Sequence, residues 1–189
     1  MLTTTTLQEA FKIYLDEIKS CLNHKCYFAM LHLIVVLPDI CGALESVDGK
    51  AKMECYKDWC ERYLKNHRIS SGEWYEIRCK LLHEGRTATS WGTSSYKGFG
   101  FLHPGLKDGN AHGEVVDGFL HLDVREIADD MKNALDGWFK FLEDNPASEA
   151  SKNVEANLRA LVCETPPQRI EQNGVILNVA TVTKTSSLP

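Results

Sequence analysis

Apolar residues recur at spacings of three and four near the start of the chain. Leu7, Ala10, Phe11, Tyr14, Leu15, Ile18 and Leu22 fall on one stripe, which predicts an amphipathic helix over about 7–22. A second helix is predicted over about 25–46, apolar almost all round and therefore central in its packing, with Pro38 expected to kink it. A third, over about 50–66, carries Met53, Tyr56, Trp59, Cys60, Tyr63 and Leu64 on one face. Ser70 then stands three residues before Glu73, the spacing of a capping box, so a fourth helix should begin near Ser71, run through Trp74, Ile77, Leu81 and Leu82 to His83, and stop at Gly85.

The helical period disappears between Gly85 and Val116, where Gly, Ser, Thr, Asn and His dominate. Connections longer than about 12–15 residues tend to be functional or to hide short strands, and Tyr96–Leu102 and Gly118–Leu122 are candidates to pair as a hairpin. Asp123, with Glu126 three residues on, should cap a long fifth helix with Val124, Ile127, Ala128, Met131, Leu135, Trp138, Phe139 and Leu142 as its stripe. The tail carries weaker patterns: a short helix over 154–163, a Pro166–Pro167 break, and an apolar stretch over 175–182 with strand character. The expected architecture is thus mainly α, a helical domain over 1–145 with an insertion at about 86–122, followed by an extension over 146–189.

Composition narrows the function classes. The 189 residues are 43% hydrophobic and 25% charged with a net charge of -5, which fits a globular protein and excludes collagen-like, disordered and disulfide-scaffold chains. Seven cysteines without short paired spacings read as reduced thiols, the cytosolic pattern. The start, Met1 to Thr6, has no basic segment leading into an apolar one, and the apolar run Tyr27–Pro38 falls short of the roughly 20 residues of a membrane span. No leader and no membrane partner are therefore expected. The charge is unevenly spread: residues 50–100 hold ten Lys or Arg against six Asp or Glu, a balance of +4 that leaves -9 for the remainder. That removes a uniformly basic nucleic-acid coat but leaves room for a small local phosphate site.

The chemistry concentrates in Trp74-Tyr75-Glu76-Ile77-Arg78-Cys79-Lys80-Leu81-Leu82-His83-Glu84-Gly85. An arginine lies five residues before a histidine at the end of a helix, after a largely apolar second helix and an aromatic-rich third. This arrangement resembles the HEPN superfamily of helical bundles, many members of which carry an Arg-x4–6-His motif, and the resemblance spans about 7–142. It implies a HEPN-like four- to five-helix bundle that dimerises so that two motifs face one another, often as a metal-independent endoribonuclease, with no cofactor. It also implies RNA as a partner or, for non-catalytic relatives, dimerisation or protein interaction, in some cases with an antitoxin-like protein of a toxin–antitoxin or defence system. The matching positions here are Arg78 and His83; the family usually has a polar residue after the arginine, where this chain has Cys79.

The residue types suit that chemistry. An imidazole can exchange protons with a ribose 2′-hydroxyl or a leaving 5′-oxygen, and a permanently charged planar guanidinium can hold the phosphate between them. Geometry in a regular helix works against it: five residues at 3.6 per turn place Arg78 and His83 about 140° apart and roughly 7.5 Å along the axis. A dimer cleft or a distorted last turn would be required. Asp39, inside the apolar second helix, needs a partner if buried, and Arg78 is the candidate, either as a structural ion pair or as an orienting contact. Lys80, Arg86 and Lys97 are candidate RNA contacts, and Tyr96, Phe99 and Phe101 are aromatics that either stack on bases or anchor the loop. Cys21, His24 and Cys26 and the pair Cys55 and Cys60 have poor metal-ligand spacing, and His103, His112 and His121, nine residues apart in or beside the long loop, are expected to be solvated, so no metal is expected. Gly98-Phe99-Gly100 lacks the following helix of a dinucleotide fingerprint.

Overall fold

Four amphipathic helices and one almost wholly apolar helix can hide their stripes only by packing around the apolar one, and that is the arrangement found in the computed structural model. It describes residues 4–65, 69–87, 96–102 and 112–158, and strand segments at 162–164, 168–172, 175–179 and 182–184. The helices are α1 (Thr4–Asn23), α2 (Tyr27–Glu45), α3 (Met53–Tyr63), α4 (Ser71–Cys79), α5 (Val124–Asp144) and α6 (Glu149–Asn157), with a π-helical turn over Lys80–Glu84 continuing α4. The protein is mainly helical, with a small mixed sheet beside the bundle.

The second helix touches α1, α3, α4, α5 and α6. It runs through Pro38 as one helix of 19 residues, within the expected span of about 25–46. By length and hydropathy it could cross a membrane, but most of it is buried against its neighbours. Trp59, Trp74, Trp138, Tyr56 and Phe11 fill the core. Phe11 meets Trp138 edge-on at 5.5 Å, and Trp138 meets Trp59 at 6.2 Å. Close approach of α2 and α3 depends on Gly42, where a Cβ would stand 2.9 Å from the backbone of Cys55. Glu45 ends α2 and accepts from Trp138 Nε1 at 2.7 Å and from Arg62.

Local capping explains most boundaries. Ser70 Oγ accepts from the Glu73 amide at 3.2 Å, while the Glu73 carboxylate accepts from the Ser70 amide at 2.8 Å, so the capping box is complete. Asp123 caps α5 by accepting from the Arg125 amide, without the reciprocal contact from Glu126 that a box would require. The third helix is shorter than its apolar pattern. In the tail, the short helix begins at Glu149 rather than Val154, and α6 closes the C-terminus of α2: Asn153 donates to the Glu45 carbonyl at 2.8 Å and Asn157 to those of Leu44 and Ser46.

The sheet corrects the expected hairpin. Strand β1 (Gly98–Leu102) pairs parallel, not antiparallel, with β3 (Phe119–Asp123), and the hairpin partner of β3 is β2 (Glu114–Val116). The turn between β2 and β3 is Asp117-Gly118, both with positive φ (54° and 86°), the geometry that suits the twist of two antiparallel strands. A parallel pair needs a longer connection than a hairpin turn, and Leu102 at the end of β1 is well separated in sequence from Phe119 at the start of β3. Gly100 lies opposite His121, and a Cβ there would come within 2.8 Å of the imidazole, so this glycine serves strand packing. Beyond α6, β4 (Val162–Glu164) pairs with β7 (Val182–Lys184) and β5 (Gln168–Gln172) with β6 (Val175–Val179).

Candidate functional site

The π turn decides the geometry of the motif. The Gly85 amide bonds back to the Lys80 carbonyl, an i→i+5 link, and Gly85 itself is left-handed at φ 61°. Widening the turn by one residue brings side chains five apart towards one face, as i and i+4 are in an ordinary helix. Arg78 and His83 therefore meet within one chain: Arg78 Nη1 donates to His83 Nε2 at 2.9 Å. An arginine has no acceptor, so Nε2 must accept, and the neutral ring carries its proton on Nδ1.

Arg78 is held from the other side by α2. Its Nε donates to Asp39 Oδ2 at 2.7 Å, with side-chain exposures of 20% for Arg78 and 11% for Asp39. Tyr75, one turn earlier on α4, places its ring 5.9 Å from the guanidinium. Partial burial alone would lower the arginine pKa, but the hydrogen bond and charge of Asp39 raise it. Burial, then the neighbouring Cys79, raises that of Tyr75. Cys79 Sγ lies 3.8 Å from Arg78 Nη1. Among the described residues Nη2 makes no hydrogen bond, so the fork keeps two N–H groups for an incoming anion. His83 is exposed.

No protein-family model matches this chain, and neither curated proteins nor solved structures match it. The functional reading therefore rests on the chemistry of these side chains.

Of the basic residues considered from the sequence, the structure keeps only some near open surface. Lys80 is buried, its ammonium bound to Glu84 at 2.9 Å, because the π turn directs it inward, and it is not an open phosphate contact. Arg86 is 74% exposed beside Glu84, and Lys97 is exposed on the strand side. Phe99 is buried and meets Tyr96 edge-on, which makes this pair an anchor of the insertion, whereas Phe101 remains half-exposed. Among the described residues no three His, Cys, Asp or Glu side chains converge as a metal site; His103 lies outside them. Cys21, Cys26, Cys41, Cys55, Cys60 and Cys79 are free thiols.

Sequence reasoning missed two residues of α2, Phe28 and His32. His32 Nδ1 donates to the Phe28 carbonyl at 2.8 Å, and the two rings meet edge-on at 4.2 Å. Phe28, His32 and Asp39 follow one another at spacings of four and seven, so they share one stripe of α2, with Asp39 facing Arg78. That spacing is visible in the sequence, but an apolar helix offers no way to tell its buried stripes from the one left open.

Proposed function

We propose that this protein is a HEPN-like endoribonuclease acting as a homodimer, with Arg78 and His83 as the catalytic pair and Asp39 as the residue that orients Arg78. The observation that carries this reading is the 2.9 Å contact between Arg78 and His83 on an exposed edge, which assembles an anion-holding fork and a proton-transfer group without metal ligands. In the reaction, a ribose 2′-oxygen attacks the adjacent phosphorus and the bond to the 5′-oxygen breaks. The products are a 2′,3′-cyclic phosphate and a 5′-hydroxyl. The scissile phosphate takes the Nη1 and Nη2 donors of Arg78, freeing His83 Nε2 to accept the 2′-proton, and a second copy of the chain delivers a proton to the leaving oxygen. Half-buried Leu33, Val36 and Ile40, beside Asp39 on α2, offer apolar surface for that second copy.

The test is incubation of the purified protein with labelled single-stranded RNA in EDTA, beside folded His83→Ala and Arg78→Ala variants. Wild type should leave cyclic phosphate ends, and either variant should lose about 10²–10⁴-fold in rate. No cleavage of diverse RNAs by folded wild type overturns the enzyme. The second reading is then a non-catalytic HEPN-like interaction module, with an antitoxin-like protein as the partner class. It is favoured by Cys79 in the position after the arginine and by the engagement of Arg78 Nε and Nη1 within the chain, which leaves only Nη2 open.

A further inference from the structure

The connection between α1 and α2 is a tight reversal with a cysteine at each end. Cys26 donates its amide to the Cys21 carbonyl at 2.8 Å and Lys25 donates to that of Leu22 at 3.3 Å, with Lys25 left-handed at φ 59°. These are the two bonds and the left-handed residue of a Schellman motif, in which the side chains at the two ends commonly touch. A continuing α-helix would carry residues five apart to different faces. A disulfide requires Cα atoms roughly 4.4–6.8 Å apart, a range that residues joined by a main-chain hydrogen bond satisfy. The two sulfurs also sense each other: burial, then the charge of Cys26, pushes the Cys21 thiol up. Cys26 is exposed and Cys21 half-buried, and both are free thiols. Cys41 also feels Cys60, but those two are buried and out of reach of an oxidant in solution.

We infer that Cys21 and Cys26 form a redox-active dithiol, a modification site that closes to a disulfide on exchange with a small disulfide such as oxidised glutathione. The exposed Cys26 thiolate attacks one glutathione sulfur, forming a mixed disulfide and releasing the other half as a thiolate. Cys21, deprotonated in turn, attacks the Cys26 sulfur and releases the second glutathione thiolate. Two protein thiols are oxidised and one glutathione disulfide is reduced, and the two protons lost by the cysteines pass through water to the glutathione thiolates. The turn supplies the proximity, because it holds the resolving sulfur beside the mixed disulfide and makes the second step intramolecular. A soft metal ion would need more ligands than this turn provides. His24 lies between the cysteines, but its Nδ1 meets the Ser20 carbonyl at 2.9 Å, and among the described residues no three ligating side chains converge. Closure fastens the end of α1 to the start of α2, and this chemistry is independent of Arg78 and His83.

The test equilibrates the full chain with mixtures of reduced and oxidised glutathione, in native buffer and in urea, quenches with acid, blocks the remaining thiols with N-ethylmaleimide and maps tryptic peptides by mass spectrometry. Cleavage after Lys19, Lys25 and Lys50 puts Cys21 and Cys26 on separate peptides, and fragmentation tells a link at Cys26 from one at Cys41. The native protein should yield the Cys21–Cys26 pair with an equilibrium constant about tenfold larger than in urea, because the turn raises the effective concentration of one thiol at the other. By linkage, the same preference should raise the thermal midpoint of the disulfide form by about 3–5 °C over the dithiol. Cys26→Ser should abolish the link and keep the thermal transition of the reduced protein, because Cys26 is exposed. Cys41 and Cys60 should stay unlinked until urea is added. A tendency to close in the native protein no greater than in urea overturns the inference. So does glutathione left on Cys26 without closure, or a link from Cys26 to Cys41 or to a second chain.

Discussion

Arg78 donates to the imidazole of His83 across five residues of one helix, a contact that an α-helical path would not allow and that the π turn over Lys80–Glu84 creates. The same guanidinium is fastened to Asp39 thirty-nine positions earlier. The motif is therefore assembled by two constraints, one within the helix and one between helices.

Removing the second constraint should separate function from fold. Asp39→Asn keeps the shape and an acceptor but deletes the charge that faces Arg78. Breaking a fully buried pair costs about 3–5 kcal/mol, and partial exposure of Arg78 brings the expectation to about 1–2 kcal/mol. Urea unfolding measures it. If Asp39 orients Arg78 for catalysis, RNA cleavage should fall by more than the loss of folded protein explains, and an unchanged rate in folded protein would restrict Asp39 to stability.

Gly85 ends the π turn at φ 61° with open space where a side chain would go. Gly85→Ala should cost about 1 kcal/mol, all of it backbone strain, and Gly85→Asn less, because Asn tolerates the left-handed region better. Chemical denaturation of the two variants gives the comparison; equal costs would contradict it.

Gly42→Ala tests sign. Helix propensity alone favours alanine by about 1 kcal/mol at an interior helical site. The added Cβ, however, would stand 2.9 Å from the Cys55 backbone, and forcing two helices apart costs about 1–3 kcal/mol. Net destabilisation is expected, seen as a lower denaturation midpoint.

Glu76 is only 2% exposed, and among the described residues neither carboxylate oxygen has a hydrogen-bond partner. An unpaired buried carboxylate is a cost to the fold, so Glu76→Met should raise stability by about 1–3 kcal/mol. A variant less stable than wild type would show that this carboxylate is satisfied in solution.

Thiol reactivity should follow burial. Desolvation pushes the thiols of Cys41 and Cys60 well up, while Cys26 is exposed at the start of α2. Iodoacetamide at neutral pH, read by peptide mapping, should label Cys26 in the native protein and reach Cys41 and Cys60 only after unfolding. Labelling of Cys60 in the native state would contradict the packing of α3 on α2.

Much of this architecture is local and can be read along the chain. The stripe of α5, the capping box at Ser70 and the stop at Gly85 depend on residues within a turn or two of one another, and each holds in three dimensions. The hairpin expected between Tyr96–Leu102 and Gly118–Leu122 does not form: the Asp117-Gly118 turn joins β3 to β2 instead, and the parallel pairing of β1 with β3 is a long-range choice that turn chemistry does not encode.

Residue spacing by itself established a helical bundle with an interruption before α5, a buried second helix, and an arginine and histidine near the end of one helix. Tertiary structure decided that those two side chains meet, because the last turn widens. It also decided that Lys80 turns inward while Phe28 is left exposed. Helix periodicity repeats over a few residues and leaves its mark in sequence. Which face of an apolar helix is covered, and which turn opens to i→i+5, depends on what packs against it from far along the chain.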